Sequence, residues 1–204
     1  MKFVKESHRL ADSIFAQEAF VAQYHEIDQV ISGISDEDIK RVHLAKYAKQ
    51  KSLSKAINEL LCERFEAKGW LAEAAIFKGQ GYAEDKTWRL DFAKGDVSIE
   101  VGFNHGEAIA WNLIKPVLAS EVNNVEKAIK TKIGVMICAT GELKEAGGFD
   151  SAVGTFEKIC GYLIPLNSML TVPVLIVGLK APETFKIKHE ENEKGKKVGI
   201  ITPL

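Results

Sequence analysis

The stretch RLDFAKGDVSIEVGF, residues 89–103, decides the fold, because it holds two short runs that alternate apolar and polar residues around a Lys94-Gly95 turn. In the first run Trp88, Leu90 and Phe92 share one face and Arg89 and Asp91 the other. In the second, Val97, Ile99, Val101 and Phe103 lie opposite Ser98, Glu100 and Gly102. The pair reads as an antiparallel hairpin with Asp91 and Glu100 projecting from the same side. Two carboxylates on adjacent strands suit a divalent cation, since hard oxygen ligands favour magnesium and a rigid sheet fixes their separation. A backbone carbonyl beside Glu100 would add a ligand, and such a site activates water and offsets charge on a phosphodiester. The alternative on spacing alone is an Asp91–Arg89 ion pair with Glu100 facing solvent.

Working outward, apolar residues recur at helical spacing through residues 7–32 (Leu10, Ile14, Phe15, Ala19, Val21, Tyr24), and Ser35 with Asp38 resembles a capping box for a second helix. The first fifty residues are therefore expected to be helical. A third helix is expected from Ser54, with Ile57, Leu60, Leu61 and Phe65 on one face and Gly69 as its stop. After the hairpin come a helix over 107–119, the apolar run IGVMICA (133–139), a helix over 150–163 and the apolar run VPVLIVGL (172–179). Apolar runs separated by helices suit buried strands, so the fold class is α/β, a mixed sheet flanked by helices. The tail FKIKHEENEKGKKVGIITPL alternates twice around a charged turn and reads as a terminal hairpin.

At 204 residues with 46% hydrophobic content the chain fits one domain, divided here into a helical N-terminal segment over 1–53, a core over 54–180 and a hairpin over 181–204. No apolar run is long enough to span a bilayer and the first ten residues are charged, so a soluble, unexported, cytoplasmic protein without membrane contact is expected. Three cysteines without CxxC or Cys/His spacing argue against a disulfide framework or a zinc site. The net charge is −1, so a polyanion needs a local patch. Residues 40–55 offer one, with Lys40, Arg41, Lys46, Lys49, Lys51 and Lys55 and no acid among them; the alternative is a solvated basic face.

The order of elements and LDFAKGDVSIEVGF resemble the PD-(D/E)xK nuclease fold, and more closely the type II restriction endonucleases of the BglII and BstYI group. INELLCERFEAKGW before the sheet, LIKP after the carboxylates, and IGVMI and VPVLIVGL in the later strands add to the likeness, which covers residues 54–180. The resemblance implies a restriction-endonuclease-like sheet, Mg2+ as cofactor without a nucleotide cofactor, and a homodimer that cuts double-stranded DNA at a palindrome, with GATC at its centre in relatives. It makes Asp91 the first metal-binding aspartate, Glu100 the second carboxylate and the Val101 carbonyl a further ligand. Two residues past the glutamate the superfamily has lysine and the BglII group glutamine, where this chain has Gly102. Glycine has no side chain to hydrogen-bond a water. Either Lys94 or Lys115 enters the space, or cation and phosphate align the water alone, or the protein is inactive. Asn104 and His105 fall where the family presents residues to the major groove, and Lys46, Lys49, Lys51 and Lys115 are assigned to DNA. His105 is equally readable as structural, and Glu73 as a further metal ligand or a surface glutamate. Three hypotheses follow: a magnesium-dependent endonuclease, a DNA-binding protein of the same fold that has lost cleavage, and an unrelated α/β interaction module.

Overall fold

The computed structural model describes residues 1–79, 81–82, 84–121 and 124–204. Phe3–His8 (β1), Leu71–Ala75 (β2), Arg89–Lys94 (β3), Val97–Gly102 (β4), Ile133–Ala139 (β5) and Val174–Leu179 (β6) form one six-stranded mixed sheet ordered β1-β6-β5-β4-β3-β2. Phe185–Glu191 (β7) and Lys197–Pro203 (β8) form the separate terminal hairpin expected from the tail. The helices are Ala11–Phe15 (α1), Val21–Ser32 (α2), Asp36–Lys46 (α3), Ser54–Ala67 (α4), Ile109–Ser120 (α5), Gly141–Ala146 (α6) and Phe156–Leu163 (α7). No described helix is long and apolar enough to cross a membrane.

The β3–β4 hairpin closes through Gly95 and Asp96, with Lys94 opposite Val97. Gly95 takes φ +56°, a conformation that a two-residue hairpin needs and that glycine adopts without a Cβ clash. β4, β5 and β6 run parallel, in register Glu100–Met136 and Met136–Ile176. Every residue of β5 and β6 is buried, as covering both faces with helices requires. α4 seals one face: Phe65 is fully buried with ring centroids 4.9 Å from Phe92 and 5.3 Å from Trp70. Ser35 and Asp38 form the capping box that starts α3.

The expectation of a helical N-terminus is corrected at residues 3–8, which form β1 and pair antiparallel with β6 from Phe3–Leu179 to His8–Val174. With Lys5, Glu6 and Ser7 in a row this edge strand lacks the period-two alternation that would announce it, and its partner strand lies in the last quarter of the chain. The single helix expected over 7–32 is two, α1 and α2, separated by residues 16–20. The helix expected from 150 begins at Phe156, because residues 152–154 bond instead to the backbone of 104–106.

α5 lies against the opposite face from α4, and it approaches closely because β5 has Gly134 beneath it. A Cβ at Gly134 would stand 2.7 Å and 2.8 Å from the Pro116 ring. Gly134→Val is expected to lift α5 and cost about 1–3 kcal/mol, read as a lower midpoint in chemical denaturation; an unchanged midpoint would mean that the helix does not depend on this close approach.

Candidate active site

The hairpin brings the two sequence-predicted carboxylates together at the middle of the sheet. Asp91 Oδ2 accepts from the Val101 backbone N–H at 2.6 Å, so the aspartate of β3 reaches across to β4 directly beside Glu100. Glu100 is 1% exposed and its Oε2 receives the Lys115 ammonium of α5 at 2.8 Å. Its other oxygen, Oε1, is buried and has no hydrogen-bond partner among the described residues. Such an atom costs free energy unless something else fills its lone pairs. Burial first, and then the Asp91 charge, push the Glu100 carboxyl up to about 8, against the opposing pull of Lys115. Burial also raises Asp91, with the Val101 N–H and Lys115 working against it and Glu73 adding to it.

These residues fit a divalent cation: an orphaned buried carboxylate oxygen, a second carboxylate at its side and a backbone carbonyl at Val101 are all hard oxygen donors. Among the described residues no group of three or more His, Cys, Asp or Glu side chains is placed to hold a metal, so a carbonyl has to complete the set. Glu73 lies with Asn58, Cys62 and Asp91 around a small cleft on the α4 side. It sits at φ +50° in the middle of β2, where the β2–β3 ladder passes through Ala72 and Ala74 but not through it.

The structure separates the two lysines considered for the space at Gly102. Lys94 is drawn the other way, to Glu26 at 2.7 Å and to the Lys68 carbonyl at 2.7 Å, which corrects its candidacy. Lys115 is at the site. Asn104 and His105 are exposed at the loop after β4, their backbone tied to residues 152–154. Lys46 is ion-paired with Glu59, and Lys40 and Arg41 with Glu37 and Asp38, acids outside the basic run that α3 and α4 bring to it. Lys49 and Lys51 border an open cleft whose other wall is the hairpin tip with Lys194, Lys196 and Lys197. A second cleft, sharing Ser52, Phe149 and Asp150 with it, reaches Asn104 and His105.

Sequence reasoning missed Asn112, a buried polar residue on the stripe Ile109, Leu113, Pro116, Val117 that α5 turns to the sheet. The signal was present: an asparagine at an i, i+3, i+4 position of an otherwise apolar face.

A family model described as restriction endonuclease BglII/BglIII matches residues 3–179. The chain belongs to the BglII/BglIII restriction endonuclease family. It is thus a type II site-specific endonuclease by family, and the likeness extends well before residue 54, into β1. Among solved structures it is similar to restriction endonuclease BglII complexed with a DNA 16-mer, at 18% identity and TM-score 0.69, covering 100% of both chains. Free BglII matches at 15% identity and TM-score 0.60, again over 100% of both chains. At these identities the two structures establish the shared fold. A comparison with curated proteins finds no match.

Proposed function

We propose that this BglII-family endonuclease hydrolyses both strands of duplex DNA at a short palindrome, GATC-centred as in the relatives it resembles, acting as a magnesium-dependent cytoplasmic homodimer. The observation that carries the reading is the Asp91–Glu100 pair with the buried, unpartnered Glu100 Oε1. A divalent cation bound there would supply Lewis acidity and neutralise charge on the phosphodiester. Asp91 and Glu100 would hold it together with the Val101 carbonyl. Lys115 opposes the rise in Glu100's proton affinity and would add positive charge beside a bound phosphodiester. Palindromic sites suit a two-fold dimer, in which each subunit meets one strand.

Asn104 and His105, exposed at the end of β4, are the proposed base readers, with the amide of Asn104 suited to adenine and His105 to guanine. Lys49 and Lys51, joined by the hairpin-tip lysines, are the proposed backbone-binding residues; Lys46 would first have to leave Glu59. Replacing Lys49, Lys51, Lys194 and Lys196 by Ala is expected to weaken binding to all duplexes and flatten the salt dependence by about 0.9 for each phosphate no longer neutralised. Lys46→Ala should leave both unchanged. Equal effects from the two sets, measured by anisotropy at several salt concentrations, would reject this division.

Gly102 supports a second reading, a DNA-binding protein of the same fold without cleavage. Incubation of purified protein with a large natural duplex and magnesium, followed by sequencing of the ends, decides between them. Discrete ends establish reaction and site together. Calcium-supported binding without cleavage in magnesium establishes the second reading.

A further inference from the structure

Position 102 lies two residues beyond Glu100 on β4 and therefore on the same face of the strand. A Cβ at Gly102 would stand 2.2 Å from Met136 Cε and 3.1 Å from Asn112 Nδ2. The space is therefore occupied, and of its two occupants only Asn112 offers a strong hydrogen-bonding group. Asn112 comes from α5, three residues before the lysine that holds Glu100, so successive turns of one helix bring an amide and an ammonium to the same face. It is 7% exposed, and its carboxamide makes no hydrogen bond to any described residue. Neither amide atom is among those sealed from solvent without a partner, so the carboxamide is open to a water on an otherwise apolar stripe.

We propose that Asn112 supplies from α5 the hydrogen-bonding side chain that β4 lacks at Gly102: its carboxamide aligns the attacking water beside Glu100. The inference rests on the reading of Asp91 and Glu100 as the cleavage site. The amide moves no proton, since it neither ionises nor accepts a full charge near neutral pH; it accepts from the water and donates to a phosphate oxygen. Met136 presents only the flexible end of its side chain, so the glycine matches the amide rather than the methionine.

The test uses the full chain and a duplex carrying the wild type's own cut site. Asn112→Leu is nearly isosteric and removes the amide, so the fold should survive with an unchanged Tm while the single-turnover rate falls by about 10²-fold. Duplex affinity in calcium should stay within about twofold, because alignment of the water is not needed for binding. A merely structural asparagine would instead lose stability on the same change. Asn112→Ala should be slow as well, and adding Gly102→Gln to it should recover about tenfold by placing an amide in the freed space, whereas Gly102→Gln alone should cut slowly. An Asn112→Leu rate within about threefold of wild type overturns the proposal, as does an Asn112→Ala, Gly102→Gln pair no faster than Asn112→Ala. Glu100→Ala in the same assay separates the two levels: full cleavage from it removes the site itself, while its loss beside an active Asn112→Leu removes only the role of Asn112.

Discussion

Asp91→Ala and Glu100→Ala are each expected to reduce magnesium-dependent cleavage by about 10³-fold or more while the fold survives. The loss should be large because each carboxylate is a proposed cation ligand, and among the described residues no cluster of three or more His, Cys, Asp or Glu side chains stands by to replace it. The fold survives because the pair is a strained element without metal, two carboxyls pushed together in a buried place. That strain has a sign. A carboxyl raised from 4.5 to about 8 in the folded state holds its proton more tightly folded than unfolded, so stability contributed by this group is present below about 4.5 and is lost as pH rises towards 8. Glu100→Gln removes this dependence. Without divalent metal, its Tm should therefore gain on that of the wild type by several degrees between about pH 5 and 8, given about 2–4 °C per kcal/mol for a chain of this size. Parallel Tm curves for the two proteins would show that Glu100 is not buried with a raised proton affinity, and wild-type cutting by either alanine variant would remove the metal assignment.

The second large effect is expected at Lys115. Its ammonium donates to Glu100 Oε2, and the pair is almost wholly buried, with 12% and 2% of the two side chains exposed. Two forces compete when the lysine is removed. Loss of its charge raises the proton affinity of Glu100 further, which opposes cation binding by about tenfold for each unit of pKa. Loss of its charge also ends repulsion between ammonium and cation, which favours binding. Near neutral pH the first prevails, since the carboxyl already sits near 8 with Lys115 present. Lys115→Ala should therefore need at least about tenfold more magnesium for half-maximal cleavage at pH 7, with the gap narrowing as the pH is raised and Glu100 ionises. Lys115→Arg, which keeps the charge, should stay close to wild type. The same magnesium requirement in wild type and Lys115→Ala at pH 7 would mean that the ion pair is incidental to the site.

Much of the hairpin was legible in the amino-acid sequence. The alternation of LDFAKGDVSIEVGF sets which side chains share a face, and the Lys94-Gly95 turn sets the register; both act between near neighbours in the chain, so sequence alone placed Asp91 and Glu100 side by side. The same holds for the Ser35–Asp38 cap, the end of α4 at Gly69 (φ +77°) and the apolar runs that became β5 and β6. The tertiary structure decided what surrounds the carboxylates. β1 became a strand because β6 offered an edge from the far end of the chain. Lys94 left the site for Glu26, Lys46 was neutralised by Glu59, and α5 laid Lys115 and Asn112 over Glu100 and Gly102. None of these partners is a local choice: an ammonium pairs with whichever carboxylate the packed helices bring within reach, and that distance is set only when the core closes.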